Sequence, residues 1–385
     1  MDVKRFQYLP LMIGISLSVI SVPGHTEITG YLKSIWLDTN TSIGDKESIN
    51  LGVNRWRVTL REQIEQAQLW LSYDIEWRSG SYLETSQYAL QQSLMSEPYW
   101  DLQSRWHRRS SEEGYHGLYR AYLKMPVGPI DIRVGRQQLN WSQTYLWSSF
   151  DRFNPYNPLQ IEPDERQGVD AAQLIWNLPG GDNLELVSVG AHEARKESHG
   201  IRYRSHVSNV DIDYLIADFG ITRSIGVAAA GQWLDAGWRF EATNNRLKNS
   251  SETQRERYND IVFSIDYTFP YEWTVIGELL YRGNGADTTK DYDWLGVIAT
   301  ERINLAKHYV GLLVRKGFEP IAGVDVAWLY NLDDHSSAWI PSMRYSPGQF
   351  ENIHIRAGIQ FFEGGDLDEF GRPENIVFTE LQWFY

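Results

Sequence analysis

Residues 68–78 read QLWLSYDIEWR, and their side chains divide by polarity at alternate positions. One set is apolar or aromatic, namely Leu69, Leu71, Tyr73, Ile75 and Trp77. The other set includes the polar residues Gln68, Ser72, Asp74 and Glu76. Because successive side chains of a β-strand point to opposite faces, this segment predicts a strand that separates an apolar surface from a polar one.

The same alternation recurs in residues 258–269 and 352–361. Segments of about ten residues exceed the five or six that are usual in soluble sheets, and they fit a tilted membrane crossing. Trp and Tyr stand near the ends of the apolar faces, where they would meet lipid headgroups. The pattern predicts an all-β, transmembrane antiparallel β-barrel, with a soluble β-sandwich as the alternative.

The composition excludes several classes of protein. The 385 residues include no cysteine, which rules out a thiol enzyme, a cysteine zinc site, a disulfide scaffold and a covalently held haem. Lys and Arg number 36 against 50 Asp and Glu, a net charge of −14. Nucleic acid is therefore not an expected partner, since its phosphates are bound by clustered cations.

The first 24 residues carry an export signal. Lys4 and Arg5 precede an apolar run over residues 9–20, which is followed by small residues up to Gly24. This order predicts a secretory signal peptide over residues 1–24 and leaves residues 25–385 as a single barrel domain.

Turns and loops set the number of strands. Short turns are predicted near residues 65–66, 126–129, 178–183, 208–209, 234–235, 270–271, 318–320 and 346–349. Longer polar connections alternate with them. The tally is about 18 strands, and about 16 if the weakest segment, residues 200–207, is lost together with a neighbour.

The segment 377–385, VFTELQWFY, places Leu381, Trp383 and Tyr385 on one apolar face. It resembles the terminal strand of Gram-negative outer-membrane proteins. That resemblance implies recognition by the barrel assembly machinery, and surroundings of outer-membrane lipid and lipopolysaccharide.

A second resemblance lies in the middle of the chain. Residues 134–141 read VGRQQLNW, and residues 150–171 read FDRFNPYNPLQIEPDERQGVDA. These motifs resemble porin-like barrels of the alginate-export type. The resemblance implies a monomeric barrel of about 18 strands that passes a small or polymeric solute.

Residues 139–167, between the two ends of that motif, contain Pro155, Pro158 and Pro163. Proline offers no N–H to a β-ladder, so the segment predicts an ordered excursion that is not a strand. We expect it to fold into the barrel and narrow the pore, or alternatively to lie on the outer rim. Its candidate constriction residues are Trp141, Asp151, Arg152, Asp164, Glu165 and Arg166.

Strand periodicity also assigns charges to the barrel interior, the lumen. The inward cations are Arg55, Arg57, Arg61, Arg120, Lys124 and Arg133. The inward carboxylates are Asp74, Glu76, Asp211, Asp213, Asp260, Asp266 and Glu278. Cations on one wall and carboxylates on another would favour polar or charged solutes. The alternative is a hydrated lumen whose charges pair with one another.

Together these features predict an outer-membrane channel for diffusion or export of small polar or charged solutes. No motif for nucleotide binding or for metalloprotease chemistry occurs, and the histidines are scattered. The sequence therefore predicts no enzyme activity, no cofactor and no metal. The alternatives are a sheath around a partner, in polymer export or electron transfer, and a barrel-embedded hydrolase.

Overall fold

The computed structural model describes residues 26–42, 47–94, 98–163, 165–166, 168–192, 197–248, 256–298, 304–318 and 321–385. The predicted signal peptide and Asp164 lie outside these residues. The described part forms 19 strands in one sheet. The strands are β1 Thr26–Asn40, β2 Ser48–Ile64, β3 Ala67–Ser79, β4 Gln103–Arg108, β5 Glu112–Val127, β6 Ile130–Gln137, β7 Val169–Asn177, β8 Asn183–Val189, β9 Ser198–Val207, β10 Val210–Phe219, β11 Thr222–Trp233, β12 Ala236–Leu247, β13 Arg257–Phe269, β14 Trp273–Arg282, β15 His308–Phe318, β16 Ala322–Asn331, β17 Ser337–Tyr345, β18 Ile353–Glu363 and β19 Ile376–Phe384. Two short helices, α1 Ser86–Leu94 and α2 Trp294–Ile298, lie in the loops.

The sheet closes on itself. Neighbouring strands pair antiparallel throughout, and β1 pairs with both β2 and β19, so no edge is left open at the seam. Because β3 pairs directly with β5, the wall has 18 strands and β4 stands outside the count. The predicted closed barrel is confirmed, and the alternatives of a sandwich and of 16 strands are wrong. The weakest predicted segment is present as β9.

The sequence does not predict β4. It pairs only with the first half of β5, while β6 pairs with the second half along the same edge. β4 thus continues the position of β6, within the long connection between β3 and β5. Its six residues are too few to show a strand period of their own.

The connections that were predicted as short turns lie at one end of the barrel, here called the turn end, together with Thr26 and Tyr385. The other connections lie at the opposite, loop end, and they include the two residues between β10 and β11. The turns at residues 65–66, 208–209 and 234–235 are two residues long and fall where they were predicted. Their first residues, Glu65, Ser208 and Leu234, have positive φ.

The outward face of the wall is apolar, as Tyr73 and Ile75 of β3 illustrate, whereas Ser72 and Glu76 are buried inside. One predicted orientation is wrong. Since Arg120 is predicted to face inward, strict alternation predicts that its neighbour Tyr119 faces lipid, yet the Tyr119 hydroxyl donates to the carbonyl of Arg166 inside the barrel, at 2.8 Å. A register shift between β3 and β5 inserts an extra residue there, which reverses the alternation. No helix in the described ranges is long and apolar enough to cross a membrane.

Candidate functional site

The described part of the segment 139–167, residues 139–163 and 165–166, runs around the inside of the barrel and is here called the belt loop. Trp141 Nε1 donates to Glu185 of β8 at 2.7 Å, and Gln360 Nε2 of β18 donates to the carbonyl of Leu159 at 3.0 Å. A single loop that contacts strands on opposite sides of a closed wall lies within it. The belt loop therefore occupies part of the lumen rather than the rim.

The carboxylate of Glu278, on β14, anchors the far turn of the belt loop. It accepts the backbone N–H groups of Tyr145, Leu146 and Trp147 at 3.0, 3.1 and 2.6 Å. Glu278 is 2% exposed, so this predicted pore-lining acid binds the belt loop and does not face open water. One side chain thus supplies the hydrogen-bond acceptors for three consecutive backbone N–H groups of the loop.

A second carboxylate, that of Glu241 on β12, also binds backbone N–H groups of the belt loop. It accepts the N–H groups of Gln143 and Ser149, each at 2.7 Å, and the hydroxyl of Ser148 at 2.8 Å. Gln143 Nε2 donates to Asp213 at 2.8 Å, and Asp213 is fully buried. With Glu185, these inward acids stand on β8, β10, β12 and β14.

Glu185 and Glu241 were not among the predicted lumen residues, although strand alternation indicates that they face inward. Glu241 lies between the outward residues Phe240 and Ala242 of β12, as an inward side chain does. The role of Glu241 could not be predicted from the sequence, because it depends on hydrogen bonds to the belt loop. Arg152, a predicted constriction residue, pairs with Asp260 through Nη2 and Oδ2 at 2.6 Å.

The predicted cationic residue Arg55 is engaged on two sides. Its Nε contacts Oε2 of Glu76 on β3 at 2.8 Å, and its Nη1 contacts Oε1 of Glu162 in the belt loop at 3.0 Å. Lys33 of β1 also contacts Oε1 of Glu162, at 2.9 Å. The loop carboxylate is thus bound by cations from two strands.

Arg57 repeats the arrangement one step closer to the turn end. Its Nε contacts Oδ1 of Asp74 at 2.6 Å, and its Nη1 contacts Oε2 of Glu165 at 2.7 Å. Burial would raise the pKa of Glu165, but Arg57, Lys33 and Arg55 outweigh it and lower that pKa to about 2. Glu165 therefore stays ionised at neutral pH.

The predicted separation of charge onto two walls is wrong for this region. Asp74 and Glu76 lie directly opposite Arg57 and Arg55 on the neighbouring strand. The cations and carboxylates are joined in pairs, as the alternative prediction had it. Strand periodicity gives the inward positions correctly but not the pairing, which depends on register.

The other predicted cations lie toward the turn end. Arg61 stacks on Trp70 with 4.0 Å to the ring centroid. Lys124 lies 3.9 Å from Asp131, and Arg133 stacks on Tyr122 at 5.0 Å. Unlike these three residues, Arg55 and Arg57 each contact two carboxylates at 3.0 Å or less.

Arg120 is buried and stacks on Tyr119 with 4.0 Å to the ring centroid. It donates to the backbone carbonyl of Arg166 in the belt loop. It forms no ion pair with a carboxylate in the part of the chain that the structure describes.

The remaining predicted acids have local partners. Asp266 pairs with Arg239, and Asp211, which is exposed at the turn end, contacts His206 at 2.7 Å. Within the belt loop, Asp151 is 3.4 Å from Nη1 of Arg166. Burial raises the pKa of Asp151 to about 7 although Arg166 acts against it.

A cavity of about 730 Å³ remains beneath the belt loop toward the turn end. Both charge signs line it. Its cations are Lys33, Arg315, Arg344 and Arg356, and its carboxylates are Glu162, Glu165, Asp325 and Glu380. Arg356 also donates to the carbonyl of Ile161, so the cavity and the belt loop share a wall. The lumen thus holds a space that is lined by charged side chains and bounded in part by its own loop.

The residues of the predicted assembly signal lie at the seam. Tyr385 accepts a hydrogen bond from Trp56 Nε1 at 2.7 Å and donates to the carbonyl of Arg57 at 2.9 Å. Leu381 and Trp383 pair with Ser34 and Leu32 of β1. The end of β19 therefore joins the first two strands.

Comparison with known proteins identifies the fold. The crystal structure of OccAB3 from Acinetobacter baumannii matches with a TM-score of 0.59 at 9% identity, over 94% of this chain and 99% of that chain. The outer membrane protein OpdK from Pseudomonas aeruginosa matches with a TM-score of 0.55 at 9% identity, over 94% and 98%. The fold is that of a porin-like outer-membrane barrel.

OccD3 from Pseudomonas aeruginosa shares this porin-like fold, with a TM-score of 0.56 at 8% identity over 94% of this chain and 92% of that chain. No protein-family model matches the chain, and no curated protein matches its sequence. In the described residues, no group of three or more His, Asp or Glu is placed to hold a metal ion.

At the loop end of the porin-like barrel, a buried carboxylate ties three connections together. Glu369 accepts hydrogen bonds from the N–H of Leu305 at 3.1 Å, from Asn331 Nδ2 at 2.8 Å, and from the hydroxyl of Tyr309. Burial raises the pKa of Glu369 to about 8, and Asp334 adds to the effect.

This pKa predicts that stability falls as the pH rises. The folded pKa lies above the unfolded value of about 4.3, so the folded state binds more protons between those values. We expect the free energy of unfolding to decrease from about pH 5 to about pH 8, by up to about 1.4 kcal/mol per pH unit. Urea titrations at several pH values measure it. Glu369→Gln should flatten the dependence, whereas the exposed Glu363→Gln should keep it; equal slopes in all three proteins would contradict the assignment.

Proposed function

We propose that this protein is an outer-membrane channel through which small polar or charged solutes pass, with the belt loop as its constriction. The observation that carries the proposal is the belt loop itself, which lines the lumen and leaves a charged cavity of about 730 Å³ below it. Charged groups around a water-filled passage favour polar solutes over apolar ones. OpdK, which shares the fold, was crystallised with vanillate, a small carboxylate.

The lumen supports a channel better than a sheath. A sheath needs an empty barrel to surround its partner, but here residues from Trp141 to Arg166 contact the inner wall from β1 to β18. The protein is proposed to act without catalysis. Ser188 contacts His199 and Ser346 contacts His354, but both pairs are exposed and neither histidine has a carboxylate partner among the described residues. The barrel-embedded hydrolase is not favoured by any contact.

The remaining expectations belong to the same proposal. Residues 1–24 are removed on export, Leu381, Trp383 and Tyr385 are read by the assembly machinery, and lipopolysaccharide surrounds the loop end. Membership of the alginate-export type is supported by the motif that suggested it. Arg136 and Asp170, at the two ends of the motif, form an ion pair and so fix where the belt loop leaves and rejoins the wall. The mixed charge of the cavity extends the expected solutes beyond polyanions.

Planar-bilayer recording on the refolded protein tests the proposal. We expect discrete conductance steps from single barrels in salt solution. If no steps appear either with the intact chain or after deletion of residues 142–163, the channel proposal fails and the sheath is favoured. Heat-modifiable electrophoretic mobility shows whether each sample is folded.

Replacing Arg55, Arg57 and Arg61 by Gln should shift the ion preference toward cations. The change removes three positive charges, two of them from beside Glu76, Asp74 and the loop carboxylates. Arg78 and Lys33 still contact Glu76 and Glu162, but the local potential becomes more negative. The reversal potential in a salt gradient measures the preference. Arg246→Gln, on the outer face, is the matched control and should leave it unchanged. An unchanged reversal potential in the triple variant would show that these arginines do not border the narrow region.

A further inference from the structure

Three arginines stand side by side on the outer face at the loop end. Arg223 of β11 is directly opposite Arg246 of β12, which is directly opposite Arg257 of β13. Their neighbours in sequence, Ser224 and Tyr258 among them, are buried inside, so the arginines point outward. Like charges that face each other across strands are destabilising. This arginine row therefore needs an explanation other than the stability of the sheet.

Nearby carboxylates neutralise the row only in part. Asp218 lies 3.4 Å from Arg223 and 2.7 Å from Lys248, and Glu256 lies 2.9 Å from Arg246. Arg257 has no ion pair and no hydrogen bond from its side chain within the described ranges. Among the described residues, four cations thus meet two carboxylates, and this described cluster is positively charged on a chain whose net charge is negative.

An apolar groove continues from the arginine row toward the middle of the barrel. Its volume is about 700 Å³, and the three arginines line its upper part. Lower down it is lined by apolar side chains that are open to the surroundings, including Ile201, Ile216 and Ile225. Ile216 is 63% exposed and Ile225 is 59% exposed. The site combines a hydrocarbon surface with cations at one end.

This combination matches one kind of ligand. Guanidinium groups bind phosphate through paired, charge-assisted hydrogen bonds, and adjacent arginines suit a group with more than one negative charge. Exposed isoleucines below them suit an acyl chain. In outer-membrane barrels the longer loops face the cell exterior, so the arginine row lies at the headgroup level of the outer leaflet.

We propose that this groove binds a phosphorylated glycolipid of the outer leaflet, with its phosphate on the arginine row and an acyl chain along Ile216 and Ile225. The site is separate from the lumen, because the arginines and the lumen residues of the same strands point to opposite faces. The proposal rests on the outer-membrane location but not on channel activity. A failure to observe conductance would therefore not contradict the lipid proposal, and a failure to observe lipid binding would not contradict the channel proposal.

The test is a titration of the folded, detergent-solubilised protein with bisphosphorylated lipid A, read by native mass spectrometry. We expect one tightly bound lipid per chain. Combined replacement of Arg223, Arg246 and Arg257 by Gln should weaken binding about tenfold or more, since it removes the charge-assisted contacts. Lipid A without phosphates should bind the unchanged protein about as weakly. Lys316→Gln, which removes an outward cation at the turn end, is the control and should bind normally.

Other outcomes distinguish a lipid from free phosphate and from a second copy of the chain as the occupant of the groove. Equal affinity in the triple variant and the unchanged protein would overturn the proposal, and so would complete displacement of lipid by millimolar inorganic phosphate. A dimer that is lost in the triple variant would assign the groove to a second copy of the chain. Ile216→Ser with Ile225→Ser tests the apolar part and should also weaken lipid binding.

Folding does not confound the comparison. The triple variant loses like-charge repulsion, so in lipid-free detergent it should be at least as stable as the unchanged protein. Added lipid A should stabilise the unchanged protein more than the variant, which reverses that order. An order that lipid A leaves unchanged would contradict the assignment.

Discussion

Replacing Glu241 and Glu278 together by Ala is expected to raise the single-channel conductance several-fold. Each carboxylate accepts at least two backbone N–H groups of the belt loop in a buried setting. Hydrogen bonds to a charged group contribute about 1.5–3 kcal/mol each, so their loss should detach the segment from Gln143 to Ser149. With this part of the belt loop free to leave the wall or the lumen, the passage widens. Planar-bilayer recording and the uptake of sugars of increasing size measure the change.

The control for this experiment is Asp211→Ala. Asp211 is exposed at the turn end and contacts His206, not the belt loop. The conductance of the Asp211→Ala variant should therefore match that of the unchanged protein. Glu241→Gln with Glu278→Gln should give an intermediate value, because the amide oxygen still accepts hydrogen bonds without the charge. If the double Ala variant is folded and conducts like the unchanged protein, the belt loop is held by other contacts.

The second large effect is on stability. Arg136→Met should lower the free energy of unfolding by about 3–5 kcal/mol, because it leaves the carboxylate of Asp170 buried and unpaired. In the folded barrel Nε and Nη2 of Arg136 each lie 2.8 Å from an oxygen of Asp170, and the two side chains are only 4% and 1% exposed. The N–H of Trp100 also donates to Asp170, at 2.8 Å. Urea titration of the folded fraction, followed by heat-modifiable mobility, measures the loss.

A double-mutant cycle separates the ion pair from the rest. Arg136→Met with Asp170→Leu should recover part of the stability, since replacing both partners removes the unpaired charge. Asp170 alternates with the inward residues Ala171 and Gln173, so the pair lies on the opposite face from the lumen. The reversal potential should therefore be unaffected. Losses that simply add in the double variant would show that the two side chains do not act as a pair.

The strands and their number were readable from the sequence because each strand separates two environments. In residues 68–78 every second side chain faces apolar surroundings, and this alternation fixes both the strand and its orientation. Tyr119 departs from it because a bulge depends on the register with β3, and that is a property of two strands. β4 was missed for a similar reason, since its six residues form a strand only against β5.

The interior was readable only in part. Alternation places Arg55, Arg57, Glu76 and Glu278 inside correctly, but it says nothing about what each contacts. Glu278 binds backbone N–H groups of a loop more than 130 residues earlier in the chain. Whether an inward acid faces water, a cation or a loop depends on how that loop folds back. The three prolines predicted an ordered excursion, but its path depends on contacts with strands that are distant in sequence.

The belt loop also has a consequence for the order of folding. Its contacts to β18 join residues 195 and 201 positions apart, from Ile161 to Arg356 and from Leu159 to Gln360. Closing such long separations is entropically costly and slow, so these contacts form after the wall strands that supply them. A newly closed barrel would pass through a wide, leaky stage, and its permeability would fall as the loop docks. Selectivity would then mature later than membrane insertion.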